Sequence, residues 1–156
     1  MAREPSKDPI QFTARVVLTL LLLEIVTMPA RGYITETLQA LLYRVLPNNF
    51  KISWECTALD EVFLLAAALW WTVWPETKGC PLKSRLRITM GPIIVGTAMV
   101  ELYNVLRIAI LAYHPDPLLH TVLFRVGGYI VVLLTYWVLL RWTAARNARN
   151  CREDKA

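Results

Sequence analysis

The chain has 156 residues, of which 56% are hydrophobic and only 19% charged, against roughly 45–50% and 25% in an ordinary globular protein. Mean hydropathy is +0.41, and the apolar residues sit in long runs instead of alternating with polar ones. This excludes a disordered chain, a secreted disulfide scaffold and an ordinary water-soluble enzyme, and points to a small multi-span membrane protein.

In chain order, residues 1–11 form a short N-terminus carrying Arg3 and Lys7. The first apolar segment runs from Phe12 to Met28 and is closed by Pro29. Its basic flank and apolar heart follow a signal-peptide pattern, but Met28-Pro29-Ala30 is a poor small-x-small cleavage site, so a retained anchor is expected. Residues 30–55 form a long loop in which Ile34, Leu38, Leu41, Leu42, Val45 and Leu46 share one helical face. A helix of about 14 residues is too short to span. It is expected as a short amphipathic helix, either on the outer membrane surface or packed over the bundle.

The second apolar segment is Thr57 to Trp74, followed by Pro75, and Asp60 and Glu61 in its first turn make it the weakest of the set. The third runs from Thr89 to Tyr113 and the fourth from Leu118 to Leu140. Segments of roughly 17–25 residues cover about 26–37 Å, which matches a hydrocarbon core of about 30 Å. The expected fold class is therefore an all-α membrane protein, a four-span transmembrane helix bundle over residues 12–142, with a basic tail at 143–156. No internal repeat, low-complexity tract or domain linker interrupts it.

The net charge of +5 raises nucleic acid as a partner, so the positions of the basic residues matter. Arg3, Lys7 and Arg15 flank the first segment, and Lys78, Lys83, Arg85 and Arg87 lie between the second and third. Arg141, Arg146, Arg149, Arg152 and Lys155 follow the fourth. With four spans, all of these fall on one side, which the positive-inside rule assigns to the cytoplasm together with both termini. Trp70, Trp71 and Trp74 sit at the same end, as an interfacial belt would. The charge is topology, and no nucleic-acid partner is expected.

Ionisable groups inside apolar spans cost about 2.5–3.5 kcal/mol each at the bilayer centre, so each needs a reason. Glu24 lies in the first span, Glu101 and Arg107 in the third, and Arg125 in the fourth. Arg107 sits six residues before Tyr113, about 9 Å below the outer end of its span. Arg125 and, one turn above it, His120 open the returning span, and Cys56 precedes the second span on the same side. Four antiparallel spans thus bring a thiol, two guanidinium groups and an imidazole to a similar depth. A cysteine at a helix N-terminus is favoured as thiolate, and nearby arginines add to that, while Glu55, Asp60 and Glu61 oppose it. Cys80 and Cys151 belong to the opposite side and cannot pair with Cys56 within one chain. No spacing of His, Cys or carboxylates calls for a metal, and no motif calls for a cofactor. His114, between Tyr113 and Pro115, reads as an exposed turn residue.

These residues resemble the archaeosortase/exosortase family. Glu55-Cys56-Thr57-Ala58-Leu59 is similar to its nucleophile motif, in which a glycine usually follows Cys-Thr; Ala58 here leaves less room for a close backbone approach. Asn104-Val105-Leu106-Arg107 resembles the family's Asn-x-x-Arg block. The third functional position is His or Arg at the start of the following span, where Arg125, ahead of Val126-Gly127-Gly128, fits the spacing best and His120 is the rival. The resemblance covers residues 55 to about 130, and its order, spacing and span positions carry it together.

The resemblance implies a membrane cysteine protease or transpeptidase in the cell membrane with its active site facing outside. Its substrates would be secreted or surface proteins ending in a short sorting motif, one transmembrane helix and a basic tail. It would transfer the new C-terminus to an acceptor such as a lipid. Cys56 would be the nucleophile, and Arg107, shared with Arg125, would stabilise thiolate or oxyanion. His120 would protonate the leaving amine, a role no guanidinium can fill. Asn104, three residues from Arg107 on the same helix face, and Glu101, one turn deeper, would support it. The alternative from the residues themselves is a non-enzymatic membrane scaffold or transporter subunit, in which the same polar groups only join helices.

Overall fold

A computed structural model describes residues 8–43, 51–52 and 57–153. Every regular element among them is helical: α1 (Pro9–Thr27), a 3₁₀ turn (Met28–Ala30), α2 (Arg31–Leu42), α3 (Leu59–Glu76), α4 (Leu82–Tyr113), α5 (Pro117–Thr121), a π-helical segment (Val122–Gly127) and α6 (Gly128–Glu153). Three stretches, Pro9–Leu42, Leu82–Tyr113 and Pro117–Thr143, are long and apolar enough to cross a membrane. The architecture is that of an all-α membrane protein.

α3, expected as the second span, is not among the three. Asp60, Glu61 and Glu76 put three carboxylates in its eighteen residues. Yet α3 is the centre of the bundle, packed against α1, α4 and α6. Val62, Leu65, Leu69 and Val73 recur every three or four residues and are all buried, the spacing that puts side chains on one face. Ala58, Val62, Leu65 and Leu69 form one core with Val100 of α4 and Val132 and Leu139 of α6. The outward faces stay apolar: Val26 of α1 is 74% exposed, Leu102 of α4 72% and Leu133 of α6 66%. An apolar surface of that extent on all sides suits hydrocarbon and not water.

Two boundaries differ from expectation. Asp8 caps α1 through the amide of Ile10, but Pro29 does not close the helix. The chain passes through the 3₁₀ turn directly into α2, so Pro9–Leu42 is continuous. Proline is tolerated because it stands in the first turn of the new segment, where its missing N–H costs no helical bond. α2 is a helix packed over the bundle: Leu38 and Leu42 rest with Ile52, Ala112 and Phe124 around Ile108 of α4. The Ile52 amide donates to Gln39 Oε1 at 2.7 Å, which ties the returning chain to α2. Leu41, expected on the same apolar face, is exposed, and Val45 and Leu46 lie outside the described residues. α4 also starts seven residues ahead of the expected span and carries Lys83, Arg85 and Arg87 in its first two turns.

The basic end is an aromatic layer. Trp70 and Trp74 stack at 4.8 Å, and the Arg85 guanidinium lies 3.6 Å above the Trp74 ring and donates to its carbonyl. Arg15 lies over Trp71 and Arg141 over Trp137. Trp71 Nε1 also donates to Thr19 of α1 at 2.9 Å, joining α1 and α3 at this end. Cys80, in the turn after α3, is disulfide-bonded.

Gly96 leaves no room between α3, α4 and α6, since a Cβ there would lie 2.8 Å from Leu65 Cδ2 and 2.9 Å from Leu139 Cδ1. Gly96→Val is expected to cost about 1–3 kcal/mol through overpacking, read as a lowered unfolding midpoint in detergent. Gly91→Ala, with nothing within 4 Å of its added Cβ, should not lower the midpoint, because alanine inside a helix is favoured over glycine.

Candidate active site

Arg107 is the most buried charge among the described residues, with 1% of its surface exposed. A guanidinium at that depth must be neutralised and hydrogen-bonded on every side it can be. Its Nε donates to Asn104 Oδ1 at 2.9 Å, one helical turn back on α4. Nη1 donates to Glu61 Oε1 at 2.9 Å, across to the first turn of α3. Its face lies 4.0 Å from the Phe124 ring of the π-helical segment, and Tyr103 flanks it at 5.7 Å. Nη2 is buried with no acceptor among the described residues. Asn104, fully buried itself, donates onward to Glu101 Oε2 at 3.4 Å, so the expected Asn104–Arg107–Glu101 network is in place.

The α6 side of this site is made by two glycines. A Cβ on Gly128 would lie 2.7 Å from Glu61 Oε1 and 3.1 Å from Arg107 Nη1. One on Gly127 would strike Tyr103 Oη, which donates to the Leu123 carbonyl at 2.8 Å inside the π-helical segment. Widened π turns leave carbonyls free for such side-chain donors and are frequent at functional sites. Without side chains at 127 and 128, α6 approaches α3 and α4 closely enough to roof the ion pair.

The structure separates His120 from Arg125. The His120 ring stacks on Phe124 at 4.5 Å, so guanidinium, phenyl and imidazole form one column from the buried site to the surface. Arg125, the residue after Phe124, is exposed and makes no hydrogen bond or ion pair with the described residues. Consecutive helical residues point about 100° apart, so with Phe124 turned inward Arg125 faces away. Glu24 is paired with Arg31 across the 3₁₀ turn, and His114 is exposed in the turn after α4.

Cys56 lies outside the described residues. Its neighbour Thr57 is buried, and Ala58 is the N-cap of α3 with φ 53°, the only positive φ on a non-glycine residue among those described. Cys56 therefore precedes the helix cap by two positions instead of opening the helix. The left-handed conformation at 58 is one that glycine adopts freely and alanine at a cost.

Sequence reasoning misses Glu61 as the counter-ion, Phe124 as the platform and Gly128 as the roof. A signal for the first exists: Glu61 in the opening turn of one span and Arg107 near the outer end of the next share a depth, and intramembrane charges of opposite sign pair. Phe124 has no such signal, since its apolar ring suits lipid as well as a cation.

Asn104→Leu keeps side-chain volume but strips Nε of its acceptor, and is expected to destabilise the chain by about 2–3 kcal/mol. At 58, Ala58→Gly gives up about 0.8 kcal/mol of methyl burial and recovers about 1–2 kcal/mol of left-handed strain. It should be neutral or slightly stabilising, and both variants can be ranked by unfolding in detergent. A loss above about 1 kcal/mol for Ala58→Gly would contradict the strain.

No protein-family model, curated protein or solved structure matches the chain.

Proposed function

We propose that the chain is a membrane cysteine transpeptidase of the archaeosortase/exosortase type. In this reading α3 is a fourth span, its carboxylates lying at its two ends and, for Glu61, neutralised by Arg107. Both termini and the α3–α4 turn are then cytoplasmic, as their Arg, Lys and Trp residues favour, and Arg107 lies near the outer face of the cell membrane. The single observation that carries the reading is the buried guanidinium of Arg107, fixed on three sides against the helix that follows Cys56, with one nitrogen that no described residue fills.

The substrate is a secreted or surface protein whose C-terminus bears a sorting motif, one helix and a basic tail. The Cys56 thiolate attacks the scissile carbonyl, and the resulting oxyanion forms beside Arg107 in a water-poor site, where a fixed cation acts strongly. Collapse to the thioester breaks the C–N bond, and the leaving amine takes its proton from His120. His120 then accepts the proton of the acceptor hydroxyl, such as that of a lipid, as it attacks the thioester and frees the thiol. His120 is preferred over Arg125 because it shares the column with Arg107 and because imidazole, unlike guanidinium, exchanges protons near neutral pH. A non-enzymatic scaffold is the rival, in which the same network only joins helices.

Membrane-impermeant maleimide, applied over a pH series to Cys80→Ala/Cys151→Ala cells, separates the two. Rapid labelling of Cys56 from outside with an apparent pKa below about 7.5 is the expected result. Labelling only after permeabilisation would overturn the orientation, and slow outside labelling with a pKa near about 8.5 would favour the scaffold.

A further inference from the structure

An ion pair between Glu61 and Arg107 joins α3 to α4, and it is expensive: Glu61 is 14% and Arg107 1% exposed at the side chain. Apolar residues of similar volume hold helices together as well as or better than a buried pair, so cohesion alone does not account for it. The pair also demands a gap in α6, because a Cβ at 128 would overlap Glu61 Oε1 at 2.7 Å and crowd Arg107 Nη1 at 3.1 Å. Three helical elements therefore contribute to a single orientation of one guanidinium. Asn104 fixes Nε, Glu61 fixes Nη1, and Phe124 covers the face. Nη2 alone of the three nitrogens has no acceptor among the described residues, and a donor that deeply buried is normally satisfied.

We propose that Glu61 is the positioning residue for Arg107, seated by Gly128, and that it turns Nη2 towards the place where an incoming oxygen binds. The identity of that oxygen, the carbonyl of a scissile peptide, rests on the transpeptidase reading; the orientation of Arg107 does not. Glu61 acts through Arg107 and touches no reacting atom. Its position in the first turn of α3 also ties the guanidinium of α4 to the helix that Cys56 precedes in sequence.

Two readouts on the full chain test this. In the first, arginine is labelled with nitrogen-15 and the chain is held in detergent micelles, with the Arg107 signals assigned by their loss in Arg107→Lys. A guanidinium held at Nε and Nη1 gives separate Nη1 and Nη2 resonances, because rotation is hindered. Wild type and Glu61→Gln, which keeps an acceptor at the same place, are expected to show the split. Glu61→Leu and Gly128→Ala, the second of which changes no charge, are expected to collapse it. Split signals surviving in both Glu61→Leu and Gly128→Ala would overturn the positioning role.

The second readout is the pH profile of Cys56 labelling in the Cys80→Ala/Cys151→Ala background. Glu61→Leu and Gly128→Ala should raise the apparent thiol pKa by about half a unit or more, roughly threefold slower labelling near pH 7. Glu61→Gln should leave it at or below the wild-type value, because the opposing negative charge is gone while the acceptor remains. A lowered wild-type pKa that Glu61→Leu and Gly128→Ala leave untouched reduces Glu61 to a packing role and sinks this inference alone. An ordinary wild-type pKa near about 8.5 instead sinks the transpeptidase reading, while the resonance data still decide what holds Arg107.

Discussion

A guanidinium buried to 1% exposure in an apolar bundle is the constraint from which the rest of that half of the bundle follows. Left alone, it would cost far more than the few kcal/mol that separate folded from unfolded chains. The chain meets that cost with a counter-ion from α3, an amide from its own helix and a ring face from the segment before α6. Each partner imposes a further requirement. Glu61 needs Gly128 beneath it, and Phe124 needs its backbone turned inward. The π-helical register that presents Phe124 leaves a carbonyl that Tyr103 takes up, and Tyr103 needs Gly127. The Gly127-Gly128 pair is thus read best as the footprint of Arg107 and Tyr103 on α6.

The two ends of the bundle solve opposite electrostatic problems with the same residue type. At the basic end Arg15, Arg85 and Arg141 lie on tryptophan rings, where indole supplies a polar edge at the interface and a π face for the cation. None of these three arginines is paired with a carboxylate among the described residues. At the other end Arg107 lies inside the helix layer, and a ring alone is too weak there, so Glu61 is required. The acid that makes α3 a poor span by composition is the acid that lets α4 carry its arginine, and the defect in one helix answers the defect in the next.

Much of this is legible in the amino-acid order alone. Helicity, the apolar runs and the gathering of Arg, Lys and Trp at one end follow from composition and period, which are one-dimensional signals. Asn104 with Arg107 is legible too, because a three-residue interval fixes a shared face on one helix. What stays hidden depends on contacts between helices. The preference of Phe124 over Arg125 for the inward position turns on a π-helical register that shifts every later side chain, and no local pattern announces it. The continuity of α1 with α2 through Pro29 is masked because proline reads as a stop in sequence, although it is equally at home in a first turn. Glu61 is obscured for a different reason: along the chain its neighbour is the thiol five residues before it, while the arginine it serves stands on the next helix.

The position of the α3 cap changes where an activated thiol would draw its activation from. Were Cys56 at the first turn of the helix, unpaired amides and the helix dipole would favour the thiolate directly. The helix begins instead at Leu59, with left-handed Ala58 as its cap, and the dipole's effect fades within a turn of the terminus. The first-turn carboxylates Asp60 and Glu61 weaken it further, so activation would have to come from a cation such as Arg107, which the fold holds against that same turn. Its charge is already shared with Glu61, so whether a thiolate is favoured depends on the orientation of a guanidinium and not on its mere presence. An arrangement of this kind makes geometry the control variable: a displacement of α3 against α4 would change the Glu61–Arg107 contact and, with it, how much of the guanidinium's charge is left for any other group.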